Sequence, residues 1–392
     1  MNEIKNLNKS YTYNKHNSFF SFSSINKNFD ENKIIKKINF LYSKKIGINN
    51  VKKNDIKILD ATIKDLNLKK NEKKKNNFSL SRNVVDEILS LEENKILRYL
   101  VFRYKYEIFP IIKKLDNYPP YLQIEPSSIC NYRCVFCFET DKTFTDKKNG
   151  FMGKMKIELF KNIIDQIQGN VEFISLASRG EPLANPNVSK MLEYCENKFL
   201  NLKINTNASL LDEKKIHSIL SGGVKTLVFS ADAADEKLYS KLRVNGNLKK
   251  VLKNIENFQN VREKKYPNKS IITRVSGVKF NNEQNFDDMI KLWSGLVDQV
   301  AFVDYNPWEN TYERPRNEIK EACSDLWRRM FIWWDGKINP CDVDYKSLLT
   351  VGNIKSSNVS EVWLSRQYNK YREEHLKSNR KNITPCRSCT VI

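Results

Sequence analysis

From Tyr121 onward the chain alternates between short, continuously apolar runs and longer segments whose apolar residues recur at every third or fourth position. Short runs bounded by turn residues predict buried strands, and the three-to-four spacing predicts amphipathic helices. A strand over Leu122–Glu125 is followed by a helix over Met155–Ile167, where Leu159, Ile163, Ile164 and Ile167 share one face. Next come a strand over Val171–Ala177, a helix over Asn187–Lys198, a strand over Leu202–Asn205 and a helix over Asp212–Leu220. A strand over Thr226–Ser230 precedes helical segments around Leu238 and over Leu248–Phe258. The series closes with a strand over Ile271–Val275, a helix over Asn285–Trp293 and a sixth strand over Gln299–Val303. Such a succession predicts an α/β fold with a parallel sheet and right-handed crossovers, as an open sheet or a partial barrel. In these folds the chemistry gathers at the carboxyl ends of the strands.

Before Tyr121 the pattern weakens. Residues 81–118 keep helical spacing through Val84, Val85, Ile88, Leu89, Ile96, Leu97, Leu100 and Val101, and predict one or two helices ending near Pro119 and Pro120. Residues 1–80 are of low complexity, rich in Asn, Ile and Lys. There Ile34, Ile35, Ile38 and Leu41 suit a short helix, and the Lys-rich run from Lys69 to Asn77 reads as a linker. The whole segment reads as a helical or disordered extension.

Charge changes this picture little. The net charge of +21 invites a nucleic-acid partner. However, residues 1–80 hold 18 Lys and no Arg against 7 acidic residues, a net of +11 from a compositionally biased stretch. The surplus lysines are scattered, with no basic stripe interleaved with aromatics, so a solvated surface is the expectation and nucleic acid is disfavoured. No apolar run reaches the roughly 18 residues of a membrane span. The amino terminus lacks the apolar core of a secretory signal, which makes the cytoplasm the expected location.

The candidate chemistry lies in the cysteines. Cys130, Cys134 and Cys137 fall within eight residues, and Cys323, Cys341, Cys386 and Cys389 form a second set of four. Three thiolates at this spacing suit an iron–sulfur cluster with one iron left open for a substrate, and four suit a closed cluster. Zinc is the alternative. Cys386-x2-Cys389 has the look of a structural zinc site, but the triplet lacks a fourth nearby ligand, and His16, His217 and His375 are all distant in sequence. Disulfides conflict with metal-ligand spacing in a Lys-rich chain that has no export signal. Cys195 shares a helical stripe with Val188, Met191 and Leu192 and reads as a buried structural residue.

Cys130-x3-Cys134-x2-Cys137, with Phe136 before the last cysteine, resembles the signature of radical S-adenosylmethionine (SAM) enzymes. Other segments agree in order. Arg179-Gly180-Glu181-Pro182 follows the second strand, where the family usually has Gly-Gly-Glu-Pro, and Asn205-Thr206-Asn207 follows the third. Ser230-Ala231-Asp232, with Arg243 thirteen residues beyond Ser230, follows the fourth. The resemblance spans roughly residues 121–306 and implies a partial (β/α)6 TIM-like barrel. It implies a 4Fe–4S cluster on Cys130, Cys134 and Cys137. It also implies SAM contacts from Phe136, Gly180, Glu181, Pro182, Asn205, Asn207, Ser230, Asp232 and Arg243. Gly180 would let backbone approach the ligand, and Arg243 offers a fork for a carboxylate. Arg179 departs from the family pattern: it either salt-bridges locally or meets the substrate as a catalytic residue.

Cys323-x12-Gly336-x4-Cys341, followed by Val351-Gly352-Asn353-Ile354 and Val362-Trp363, resembles the opening of an SPASM or twitch extension. With Cys386 and Cys389 it implies one closed auxiliary 4Fe–4S cluster. The expected division is an extension over 1–80, a helical segment over 81–118, a radical SAM core over 119–310 and an auxiliary-cluster domain over 311–392. The implied activity is hydrogen abstraction by a 5′-deoxyadenosyl radical. A closed second cluster suits electron uptake, hence oxidation of a sugar- or cyclitol-like substrate, with flavodoxin or ferredoxin as electron donor. Peptide or protein modification and an RNA-directed role are the alternatives.

Overall fold

The computed structural model describes residues 19–22, 31–306 and 308–392. Part of the low-complexity extension, residues 1–18 and 23–30, lies outside the described residues.

Among the described residues, ten strands form one sheet. They are β1 (Phe19–Ser21), β2 (Tyr121–Ile124), β3 (Phe173–Leu176), β4 (Asn201–Thr206) and β5 (Val224–Ser230), followed by β6 (Ile272–Lys279), β7 (Gln299–Asp304), β8 (Arg329–Ile332), β9 (Lys337–Asn339) and β10 (Gly352–Asn353). From β2 to β7 every strand lies parallel to its sequence neighbour. That unbroken order has no point where the strand order reverses, which distinguishes a partial barrel from a doubly wound sheet. The order stays open: β1 lies antiparallel on β7, and β8 joins β2 in parallel, with Arg329 opposite Tyr121. A tight hairpin then turns at Gly336, whose φ of +92° favours glycine.

The six expected strands are all present, and β1, β8, β9 and β10 are additions. The helices of the barrel have explicit starts. Asp212 caps Glu213–Ser221, Asp235 caps Glu236–Leu242, Asn247 caps Leu248–Lys265 and Asn285 caps Phe286–Trp293. With Ile157–Ile167 they bury Ile163, Ile164, Ile219, Val251 and Ile255 against the outer face of the strands.

The amino-terminal third is more ordered than its composition suggests. Helices α1 (Glu31–Ser43), α2 (Ile56–Leu66), α3 (Arg82–Leu89) and α4 (Glu93–Glu107) share a core with Tyr121, Phe173 and Leu200, at the amino ends of the barrel strands. Ile34, Ile38 and Leu41 are buried, so the short helix allowed by their spacing forms. Phe78, directly after the Lys-rich run, is fully buried and ties that run to the bundle. Phe102 stacks on Phe173 at 3.8 Å, and Tyr106 lies 5.8 Å from Phe102 and 5.9 Å from Tyr121. This bundle therefore covers the amino-terminal end of the barrel.

Candidate active site

The loop after β2 carries the cysteine triplet to the carboxyl end of the barrel. Cys134 is buried, while Cys130 and Cys137 are half-buried. A two-residue ribbon pairs Cys134 with Arg243, and Val135 N–H donates to the Leu242 carbonyl at 3.0 Å. The next loop packs on the first: Glu181 N–H donates to the Ile129 carbonyl at 3.1 Å. A Cβ on Gly180 would lie 2.5–2.6 Å from backbone atoms of Ser127, Ser128 and Ile129. The glycine is thus required by the chain's own cysteine loop, a more local reason than the ligand approach expected from the sequence.

Glu181 is buried and held at both oxygens. Oε1 accepts from Leu183 N–H and the Thr206 hydroxyl (3.0 and 2.7 Å), and Oε2 accepts from Asn207 N–H (2.8 Å). Burial raises its pKa against these hydrogen bonds. Pro182 starts the turn that follows. Asn207 donates to Asn131 at 3.0 Å and lies 3.9 Å from the Cys130 sulfur. Asn205, Ser230 and Phe136 line the same cavity, with Phe136 5.6 Å from Phe280. Asn205 Oδ1 is buried without a hydrogen-bond partner. Asp232 lies at 2.5 Å from Arg243 Nε, a charge contact without hydrogen-bond alignment, and accepts from Val278 N–H at 2.6 Å. Arg243 Nη1 is 3.7 Å from the Cys134 sulfur. The fork assigned to the SAM carboxylate therefore already faces a protein carboxylate and a cysteine. All of the residues assigned to SAM thus gather around the triplet, with Asp232 and Pro182 one layer behind the cavity wall.

Arg179 makes a local ion pair. It is 3% exposed, and its fork grips Glu125 through Nε (2.7 Å) and Nη2 (2.6 Å) while Nη1 donates to the Tyr345 carbonyl (2.9 Å). Its guanidinium also lies 4.3 Å from the Trp333 ring centroid. The local ion pair that the sequence allowed forms and joins the ends of β2 and β3 to the carboxyl-terminal region, and Arg179 also lines the cavity that holds the triplet.

Cys323, Cys341, Cys386 and Cys389 line one small cavity with His375 and Arg380. His375 Nδ1 accepts from Cys323 N–H at 3.2 Å, which places the ring proton on Nε2. That Nε2 and Arg380 Nε are buried without partners. Two orphaned donors beside four thiols fit a group rich in sulfur acceptors. Burial pushes the Cys130 thiol up to about 12 and the Cys323 thiol up to about 11, and raises the other five thiols of the two sets as well. Thiols this costly to ionise alone need a cationic partner to serve as thiolates. Among the described residues, no group of three or more His, Cys, Asp or Glu converges as for a single metal ion. Cys195 sits in the helix–sheet core, 2% exposed.

Sequence reasoning missed several lining residues. Glu139 is buried beside the triplet with its pKa raised to about 8, chiefly by burial and against the pull of Arg133. Its position directly after Cys137-Phe138 was a signal within reach. Arg103 and Tyr106 come from the helical bundle, where nothing local marks them.

The parallel barrel carries a cysteine triplet at its carboxyl end and a second cysteine set beyond β7, and two such sets of thiols suit two iron–sulfur clusters. The family comparisons agree. The model described as the radical SAM superfamily matches residues 124–292, and the SPASM model, an iron–sulfur cluster-binding domain, matches residues 323–390. The chain thus carries a radical SAM domain followed by a carboxyl-terminal SPASM domain. These domains imply a 4Fe–4S cluster, SAM and further iron–sulfur ligation. GTP 3′,8-cyclase from Clostridium botulinum is 25% identical over 190 residues, covering 48% of this chain and 56% of the cyclase, so the chain spans little more than half of that relative. The fold is similar to that of anSMEcpe with bound AdoMet (TM-score 0.51, 14% identity, 69% of this chain and 88% of that one). It is also similar to Streptococcus suis SuiB bound to its precursor peptide SuiA (TM-score 0.50, 18% identity, 86% and 81%). No described helix is long and apolar enough to cross a membrane.

Proposed function

We propose that this radical SAM enzyme oxidises a small, hydroxyl-rich substrate, of sugar or cyclitol type, held inside the barrel. The observation that carries this reading is the chamber itself, a cavity of about 500 Å³ running from the triplet to the helical bundle. Barrel interiors are ordinarily filled by Val, Ile and Leu. Here the inward positions include Gln123, Ser175, Asn201, Asn205, Thr226 and Ser276. Asn201 Oδ1, Asn205 Oδ1 and Ser178 Oγ are buried acceptors without partners, and Asn306 Nδ2 and Trp308 Nε1 are buried donors without partners. A polyol supplies both kinds of partner, and each buried group left unmatched costs about 1–3 kcal/mol.

When bound, the two clusters and SAM supply removal of one hydrogen atom from carbon and a sink for the remaining electron, so that a secondary alcohol becomes a ketone with release of one proton. The chain's own residues position and shield. Glu181 offers a fixed carboxylate to the SAM amino group, and Arg243 sets a buried positive charge beside Cys134. The α3–α4 bundle keeps water from the amino-terminal end of the chamber. The named relatives act elsewhere, on GTP or on a precursor peptide, and a peptide substrate is the competing outcome. The test offers deuterated sugars, cyclitols and peptides to the reconstituted protein with a flavodoxin or ferredoxin donor and follows deuterium into 5′-deoxyadenosine. Transfer from a sugar or cyclitol, with a ketone product, is expected; transfer from peptides alone refutes the proposal.

A further inference from the structure

Oxidation of an alcohol removes a hydrogen atom from carbon, an electron and the hydroxyl proton. The groups already assigned take up the first two, and the third needs a base beside the reacting carbon. Three carboxylates near the triplet are engaged elsewhere: Glu181 accepts three hydrogen bonds, Asp232 faces Arg243, and Glu139 faces Arg133.

The segment that leaves β7 offers another. Tyr305, Asn306 and Trp308 line the chamber, and the Tyr305 hydroxyl donates to Glu309 Oε1. Glu309 Oε2, Asn306 Nδ2 and Trp308 Nε1 are buried without partners among the described residues. Orphaned polar atoms gathered so closely on one segment point to an absent ligand. The segment also lies between the two cysteine sets. The Trp308 ring is 6.4 Å from that of Phe138, which follows Cys137, and Trp308 packs on the cluster of Val343, Cys389 and Val391 together with Cys323 and Cys341. Tyr305 stands edge-on at 5.0 Å to Phe280, the neighbour of Phe136. A hydroxyl held here is therefore close to both the site of hydrogen removal and the electron sink.

We infer that Tyr305 and Glu309 form a relay that takes the hydroxyl proton of the substrate, and that Asn306 and Trp308 hold the same oxygen. This rests on the alcohol-oxidation reading and deepens it. Tyr305 has committed its only hydroxyl hydrogen to Glu309, so it presents lone pairs alone to the chamber, whereas Asn306 Nδ2 and Trp308 Nε1 present hydrogens alone. An alcohol oxygen uses both kinds of partner, and a ketone oxygen only the second. As the carbonyl forms, the substrate O–H bond breaks, its proton joins the Tyr305 oxygen, and the Tyr305 proton passes to Glu309 Oε1. Glu309 ends as a neutral acid. Burial already raises its pKa against the pull of Tyr305 and Arg314, as suits a carboxylate that receives a proton.

Reconstituted protein given C-deuterated hexoses and inositols tests the relay through a ratio: ketone formed against deuterium delivered into 5′-deoxyadenosine. Incomplete loading or partial misfolding leaves this ratio unchanged. Wild type should form the two in equal amounts. Tyr305→Phe and Glu309→Gln should each lower the ratio about tenfold or more, since a positioned base contributes roughly a hundredfold. Calorimetry with the polyol that donates its label, and with its ketone, gives a reading without turnover. Tyr305→Phe should weaken the alcohol about fivefold, the worth of one hydrogen bond near ~1 kcal/mol, and leave the ketone unchanged, while Trp308→Phe should weaken both. A wild-type ratio in both relay variants overturns the relay, as does a Tyr305→Phe protein that loses alcohol and ketone affinity equally. Wild-type protein that takes deuterium from none of these polyols refutes the substrate reading and the relay with it, so the two failures are distinct.

Discussion

Replacing Arg179 by Met should destabilise the protein severely while leaving the SAM site formed. The guanidinium makes two hydrogen bonds to Glu125, at 2.6 and 2.7 Å, and one to the Tyr345 carbonyl, at 2.9 Å, and both side chains are nearly inaccessible (2% and 0%). Without it, Glu125 keeps only backbone donors, Trp334 N–H at 3.1 Å and N–H of residue 179 at 3.2 Å. A buried carboxylate stripped of its counter-ion costs about 3–5 kcal/mol, a large share of the ~5–15 kcal/mol typical of a domain. Most of that cost is the stranded charge, so Arg179→Met with Glu125→Leu should recover part of it. Urea unfolding of anaerobic protein reads the stability, and SAM cleavage without substrate reads the site. An Arg179→Met protein within about 1 kcal/mol of wild type, with cleavage intact and substrate oxidation lost, would refute the strut and return Arg179 to a catalytic role.

Gly180→Ala should lower iron content on Cys130, Cys134 and Cys137, because its Cβ would meet only backbone, at 2.5–2.6 Å, and the cysteine loop must move; iron analysis with unchanged auxiliary loading checks this. His375→Phe removes a buried donor from the wall of the second cysteine cavity. At about 1 kcal/mol per hydrogen bond, the auxiliary cluster potential should fall by ~40 mV; an unchanged potential by redox-poised electron paramagnetic resonance would show that Nε2 faces elsewhere. Burial raises the Asp344 pKa to about 7, so between its unfolded value near 4 and pH 7 the folded state holds the extra proton. Stability therefore falls as pH rises through that window, and Asp344→Asn should flatten the slope in unfolding measured from pH 4.5 to 7.5.

The barrel was legible because each strand is a short apolar run and each helix carries a spaced apolar face, as in Ile163, Ile164 and Ile167. Most expected ends fall within a few residues of the observed ones, but the helix over Leu248–Lys265 runs on well past Phe258, and at Ile272–Lys279 polar Ser276 and Lys279 hid the second half of the strand. Strand β8, Arg329–Ile332, escaped because its partner is Tyr121–Ile124, some two hundred residues earlier, and no local period announces a long-range pairing. Of the amino-terminal helices, Ile56–Leu66 was obscured by its Lys- and Asn-rich surroundings, where burial rests on a few residues such as Leu59 and Leu66. At the site, motif order located the groups around the triplet but not their partners. Arg179 and Glu125 are 54 residues apart, and only the fold reveals that they neutralise each other.

The central claim is that Cys130, Cys134 and Cys137 hold the cluster that cleaves SAM. Formation of 5′-deoxyadenosine by the reconstituted, dithionite-reduced protein measures it most directly, with wild type set beside the variant in which all three cysteines are Ala. Wild type should form the product, and the variant should form none while keeping the iron bound by Cys323, Cys341, Cys386 and Cys389. Undiminished product from the variant, or none from wild-type protein loaded with iron and SAM, would contradict the account.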